Sequence, residues 1–261
     1  MPAARPVALV TGASGGIGEA LGRRLAADGH DLVLAARSAD KLSVLADQLI
    51  ADHGIAVDVI ASDLSQPGAA AALVAALEGR AIDVLVNNAG VGLYGPFIES
   101  DPGQLAAMLQ LNMVSLAELT RALVPAMVAR GSGRVLQVAS TAAFFPGPLM
   151  AGYYATKAFV LSLSEALAHE LRGTGVTVTA LCPGPIATGF QAGADMGDSK
   201  LVKGKRLMSA DECASYAVRA MKRGRVVAIP SMMNRVQVAT PRFLPRRVVP
   251  GIIRRAQAPT H

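Results

Sequence analysis

Residues 11–18 read TGASGGIG, between the apolar run Val7–Val10 and a segment of helical period. Small residues at Gly12, Gly16 and Gly18 let the main chain turn tightly and approach a ligand closely. A helix starting at such a turn presents unpaired N–H groups and the positive end of its dipole, which suits an anionic group such as a diphosphate. A glycine-rich turn taken alone is also an ordinary strand-to-helix connection, so its meaning depends on what surrounds it.

Outward from this stretch, β-rich apolar runs alternate with longer segments of helical period. The pattern predicts strands at about 6–11, 31–36, 56–61, 82–87, 134–139, 175–181 and 225–229. Helices are predicted over about 16–29, 39–53, 67–78, 102–129, 152–172 and 209–223. Such alternation implies right-handed crossovers and a Rossmann-type, doubly wound α/β fold. It would be a single domain over residues 1–230, with a mostly seven-stranded parallel sheet and helices on both faces, followed by a tail over 231–261. The Gly-containing stretch 189–208, after a late strand, is a candidate active-site lid.

Composition supports a buried core. Hydrophobic residues make up 52% of the 261 and charged residues 17%, which excludes an intrinsically disordered chain. Cys182 and Cys213 make neither a disulfide framework nor a metal-ligand spacing, so no metal is expected and a reducing cytoplasm fits. No apolar run approaches the roughly 20 residues of a membrane-spanning helix, and the N-terminal apolar run breaks into the glycine loop rather than a cleavage site. Apolar residues lie on more than one side of the helices at 102–129 and 152–172, which predicts a homodimer or homotetramer.

The net charge of +6 is uneven: residues 213–261 carry ten arginines and lysines and no acid, against fifteen bases and nineteen acids before them. Nucleic-acid binding is not expected, because aromatics are only 4%, no recognition motif is present and the body of the chain is acidic. In the tail, Arg246/Arg247 and Arg254/Arg255 alternate with Phe243, Leu244, Val248, Val249, Ile252 and Ile253, while Pro241, Pro245 and Pro250 break any single helix. Three readings stand for it: packing near the pocket, contact with a membrane surface, and docking of an acidic partner such as an acyl carrier protein.

Chemistry-bearing residues fall at the carboxyl ends of the predicted strands, where open α/β sheets bind ligands. After the second strand comes Arg37, where an NAD-binding fold would place an acid on the ribose. A guanidinium there suits a 2′-phosphate, so NADP(H) is favoured over NAD(H). SDL at 62–64 ends the third strand with Asp63 and Leu64, and NNAG at 87–90 ends the fourth; each could also be turn chemistry. Ser140 ends the fifth strand. Thirteen residues on, Tyr153 and Lys157 in YYATK stand on one face of a helix, whereas Tyr154 is turned by about 100°. A phenol titrates near 10, and a neighbouring ammonium would stabilise its phenolate and draw that value down.

The ordered set TGASGGIG, NNAG, Ser140, YYATK and PGPIATGF (183–190) resembles the short-chain dehydrogenase/reductase superfamily, over about residues 6–230. The resemblance implies a hydride transfer between a nicotinamide and a carbonyl or secondary alcohol. Tyr153 would be the general acid/base, Lys157 its tuning cation and a ligand to the nicotinamide ribose, and Ser140 a hydrogen-bond partner of the substrate oxygen. Asn112 would complete a proton relay through water. For the cofactor it implies Gly12, Ser14, Gly15, Gly16, Ile17 and Gly18 around the diphosphate, and Asp63, Asn88, Ala89 and Gly90 on the adenosine side. Pro183, Gly184, Ile186 and Thr188 would hold the nicotinamide. A 3-oxoacyl-thioester reductase and a non-catalytic nucleotide-sensing module are the alternatives.

Overall fold

The computed structural model describes residues 5–188 and 207–258. Seven strands form one parallel sheet: β1 (Val7–Thr11), β2 (Asp31–Ala36), β3 (Val57–Ala61), β4 (Val84–Asn87), β5 (Gly133–Val138), β6 (Val176–Leu181) and β9 (Val227–Ala228), in the order β3-β2-β1-β4-β5-β6-β9. The chain first builds outward from β1 through β2 to β3, then crosses back to lay β4 on the other side of β1. The carboxyl ends of β1 and β4 therefore flank the point where strand order reverses, and a crevice opens there.

Both faces of the sheet are apolar because both are covered. Ala8 and Val10 of β1, Leu32 and Leu34 of β2, and Val84 and Val86 of β4 enter one core with Leu21, Leu25, Leu42, Leu49 and Met221. The alternate residues Leu9, Val33 and Leu85 enter a second core with Leu73, Leu119 and Met127. The period of two along each strand thus feeds two cores instead of one core and solvent. Helices α1 (Gly16–Ala27), α2 (Ala39–His53) and α7 (Ala210–Lys222) supply the first core; α3 (Ala69–Ala76) and α5 (Ser115–Ala129) help supply the second. A capping box starts α7: the Glu212 N–H donates to Ser209 Oγ at 3.1 Å and the Ser209 N–H to Glu212 Oε2 at 2.9 Å.

The stretch predicted as one long helix is helical throughout but not uniform. Helix α4 (Pro102–Leu109) passes through a π-helical turn at Gln110–Val114 before α5 begins. Among the described residues this is the one helical run apolar and long enough to span a membrane by composition; 39% of its apolar window is buried in the domain, with Leu116, Leu119, Val124 and Met127 facing the interior. A two-residue pair, β7 (Ile186–Ala187) with β8 (Met208–Ser209), was not anticipated. It joins the chain on either side of residues 189–206; the candidate lid, with Lys200, Lys203, Lys205 and Arg206, falls almost wholly outside the described residues.

The prolines of the tail break it as their chemistry requires. Helix α8 (Met232–Ala239) ends before Pro241, and α9 (Val249–Gln257) carries Pro250 in its first turn. Val249, Ile253 and Gln257, spaced by four, form the buried stripe of α9, and the first two pack on Ala142, Met150 and Tyr154 beside α6 (Ala151–Glu170).

Candidate active site

Below the crevice, β1 and β4 are cross-linked by side chains. Thr11 Oγ1 donates to the Val86 carbonyl at 3.2 Å and accepts from the N–H groups of Asn88 and Ala89 at 3.0 and 3.2 Å. The Asn88 amide donates back to the carbonyls of Thr11 and Gly12 at 2.9 and 3.1 Å. That amide occupies the space a side chain would need at two glycines: a Cβ at Gly12 would lie 2.8 Å from Asn88 Nδ2, and one at Gly18 would lie 2.4 Å from it. At Gly12 the backbone also has φ +64°, a left-handed conformation that favours glycine. Helix α1 begins after Gly15 with no side-chain cap, and Gly15 and Gly16 border the cleft.

A cleft of about 470 Å³ runs from this loop along the sheet edge. Of the predicted cofactor residues, Gly18 alone is absent from its walls; Gly12, Ser14, Gly15, Gly16 and Ile17 border one end, with Arg37, Asp63 and Leu64 beside them. At Gly18 a Cβ would lie 2.2 Å from the Gly12 carbonyl oxygen, so this glycine makes room for Gly12 and Asn88. The Asp63 carboxylate accepts from Ser65 N–H and Oγ at 3.1 and 2.7 Å. The Ser65 hydroxyl chiefly, with a smaller pull from the Arg37 guanidinium, holds Asp63 below the usual carboxylate range. Asn88, Ala89 and Gly90 line the middle, and Pro183, Gly184, Ile186 and Thr188 the wall opposite.

At the far end, Ser140 and Tyr153 share a side-chain hydrogen bond. Ser140 Oγ also accepts from the Ala142 N–H at 3.1 Å at the start of a short 3₁₀ turn and donates to the Pro183 carbonyl at 3.4 Å. Lys157 is buried; its Nζ donates to the Val138 carbonyl at 2.8 Å and stands 5.7 Å from the centre of the Tyr153 ring. Burial lowers the Lys157 ammonium to about 8 and pushes the Tyr153 phenol well above its ordinary value of 10. The Ser140 hydrogen bond pulls the phenol down, and burial outweighs it. In this arrangement Tyr153 keeps its proton at neutral pH.

Asn112 does not line the cleft. The π-turn sets its side chain behind the wall, where Oδ1 accepts from the Val91 N–H at 3.0 Å and Nδ2 donates to the Val91 carbonyl and Thr156 Oγ1 at 2.9 and 3.1 Å. Both amide hydrogens are thus committed to holding β4's following loop against α6. Thr156, missed by sequence reasoning although it lies within YYATK, completes the link by donating to the Tyr153 carbonyl at 2.7 Å. Thr11 was also missed; a threonine before a glycine turn carries no sequence signal of its own. Asn87, first residue of NNAG, is structural: its amide donates to Thr120 Oγ1 at 3.0 Å in the second core. Cys182 is fully buried and its thiol is pushed up to about 12 by that burial, which removes it as a nucleophile.

The family model for short chain dehydrogenases matches residues 6–198, and the chain belongs to that family. A short chain dehydrogenase of Pseudocercospora fijiensis is 38% identical over 69% of this chain and 59% of its own length. A very-long-chain 3-oxoacyl-CoA reductase of Anas platyrhynchos is 35% identical over 69% of this chain and 60% of its own. The chain therefore spans about three fifths of the length of these two relatives. Among solved structures, a short-chain dehydrogenase from Sphingobium yanoikuyae in complex with NADPH superposes with a TM-score of 0.83 at 34% identity, over 98% of this chain and 99% of that one. A relative from Burkholderia phymatum in complex with NAD gives 0.80 at 27% identity, over 98% and 97%. Relatives of this fold thus hold either nicotinamide cofactor.

Lys157 makes the site's burial measurable. Between about pH 8 and 9.5 the folded chain releases a proton that the unfolded chain still binds, so Lys157's contribution to stability rises with pH across that window. In Lys157→Met this rise disappears: the gain in unfolding free energy from pH 7.5 to 9.5, read by urea denaturation, is expected to be smaller than in the parent by about 1–2 kcal/mol. Equal gains in the two proteins would show that Lys157 is not held in this environment.

Proposed function

We propose that the protein is an NADP(H)-dependent oxidoreductase that reduces a carbonyl on an apolar substrate, with Tyr153 as general acid. The observation that carries this reading is the convergence, on one cleft, of the Ser140–Tyr153 hydroxyl pair, the buried Lys157 ammonium and the glycine turn at α1. The turn and its helix N-terminus fit a diphosphate, and Arg37 on the same wall fits a 2′-phosphate. A nicotinamide cofactor bound there supplies the hydride; the rest of the chemistry belongs to the chain. Ser140 and Tyr153 hold the substrate oxygen between two hydroxyls. Tyr153, kept protonated by burial, gives its proton to that oxygen as negative charge develops on it. The Lys157 ammonium then lies near the phenolate left behind and offsets its charge, which is the moment at which its position matters. Asn112 and Thr156 act as positioning residues, since their hydrogen bonds tie the catalytic turn of α6 to the loop after β4.

Apolar Ala142, Phe145 and Met150 border the Tyr153 end of the cleft, which supports an apolar substrate. The name of the Anas platyrhynchos relative supports one narrower form of the reading, reduction of a 3-oxoacyl thioester. The reading extends to a homo-oligomer: Val114 and Phe159, on the helices predicted to mediate it, leave 40% and 39% of their surface exposed. Light scattering at micromolar concentration is expected to give a dimer or tetramer, and a clean monomer would remove that part.

Two further outcomes test the chemistry. Tyr153→Phe is expected to lower NADPH-driven carbonyl reduction by about a thousandfold or more while leaving NADPH binding, followed by fluorescence, within about twofold. Retained turnover would overturn the assignment. Titration with the two cofactors is expected to show tighter binding of NADPH than NADH, and Arg37→Asp to weaken NADPH by about tenfold or more with little effect on NADH. Preferential NADH binding by the parent protein would overturn the cofactor preference.

A further inference from the structure

The C-terminal tail is apolar on two sides. Val249 and Ile253 of α9 pack on Ala142, Met150 and Tyr154, while Val248 just before the helix and Ile252 within it stay exposed. Helix α8 leaves Met232, Met233 and Val236 exposed, and Phe243, in the 3₁₀ turn after it, is 84% exposed. Phe243, Met233, Met232 and Val236 are four of the five most exposed large apolar side chains among the described residues. Single apolar residues on a surface are ordinary, but a concentration of them on one segment marks a surface that meets a partner.

Charge identifies that partner. Arg246 and Arg247 stand exposed just before α9, and Arg254 and Arg255 in its last turn; among the described residues none of the four makes an ion pair. No acid follows Glu212, so nothing within the tail balances them. A second copy meeting this face with its own would set one basic tail against another, which like-charge repulsion opposes. Guanidinium pairs interleaved with exposed apolar side chains suit a bilayer surface instead. There the apolar groups enter the acyl boundary while the arginines stay at the level of anionic headgroups. With eight residues in α8 and nine in α9, neither helix is long enough to cross a bilayer, so the contact is with its surface.

We infer that the exposed face of residues 232–255 docks on an anionic lipid bilayer, with Met232, Met233 and Phe243 in the acyl boundary and the two arginine pairs on phosphate and carboxylate headgroups. Val249 and Ile253, on the inner side of the tail, pack on Ala142 and Met150, which border the Tyr153 end of the cleft. Docking therefore holds that end of the cleft close to the bilayer. Lipid docking of this face does not depend on the reductase reading.

The test sediments the full chain with vesicles of phosphatidylcholine, alone or with about 30% phosphatidylserine. Binding to the mixed vesicles is expected to exceed binding to phosphatidylcholine by on the order of tenfold, and to fall as salt is raised from about 0.1 to 0.5 M. Arg246→Gln/Arg247→Gln and Met232→Ser/Met233→Ser are each expected to weaken it by about tenfold. Arg24→Gln/Arg172→Gln, which removes the same charge from exposed positions outside the tail, is expected to leave it within about twofold. Every substituted residue is exposed, and an unchanged thermal midpoint checks that each variant folds. The chain has no tryptophan, so Phe243→Trp places a single reporter on this face. Its emission is expected to shift to the blue on adding mixed vesicles and to be quenched by brominated lipid. Equal binding to both vesicle types, an equal loss in Arg24→Gln/Arg172→Gln, or an emission indifferent to vesicles would each overturn the inference. So would a parent protein that ignores vesicles but forms an oligomer that Met232→Ser/Met233→Ser takes apart, since the face would then belong to a second copy.

Discussion

The architecture of the cleft depends on one side chain placed where two others have no room. The Asn88 amide, held by the carbonyls of Thr11 and Gly12, fills the space beside Gly12 and Gly18 and so draws the loop after β1 against the end of β4. Those two strands flank the point where strand order reverses. Any side chain at either glycine would drive the loop away from β4, and with it the N-terminus of α1. The tightness of the turn, on which its proposed fit to a diphosphate rests, is thus a consequence of packing between two strands, not a property of the glycines by themselves.

Electrostatics at the other end follow from burial. Lys157 is 5% exposed, and its ammonium is retained there by the Val138 carbonyl. Tyr153, desolvated in the same region, holds its proton. Two groups whose charged forms are both disfavoured by desolvation, one cationic and one anionic when ionised, favour each other once either becomes charged. On the proposed function, this would let the phenol serve as an acid in the resting protein and as a stabilised anion after proton transfer. Ser140 shares its hydrogen bond with the phenol and so links the two hydroxyls at this end of the cleft.

The tail belongs to the same unit as the cleft. Val249 and Ile253 join the cluster of Ala142, Met150 and Tyr154, and Asn234 of α8 packs on Gly184, where a Cβ would lie 2.6 Å from its amide. Both segments brace walls built from earlier parts of the chain. Their outer faces carry exposed Met232, Met233 and Phe243 together with exposed Arg246, Arg247, Arg254 and Arg255, which accounts for the basic, apolar composition without placing those residues in the cleft.

Much of this was legible in the chain itself. Alternating apolar periods determined the parallel sheet, because strands buried on both faces must be apolar at successive positions, and the carboxyl ends of those strands located Arg37, Asp63, Asn88 and Ser140 at one edge. The four-residue spacing of Tyr153 and Lys157 determined that they share a helix face. What only the tertiary structure decided are properties that depend on neighbours distant in sequence. Asn112 reads as a polar residue in a helix until the π-turn and Thr156, 44 positions on, show where its amide goes. Gly18 gives no sign in sequence that a side chain there would meet the Gly12 carbonyl and the Asn88 amide. Gln257 gives no sign in sequence of its bond to Tyr154, 103 positions away. Local periodicity encodes which face a residue occupies; the partner it meets there, and hence its protonation and its role, is set by packing between elements that the sequence does not order in space.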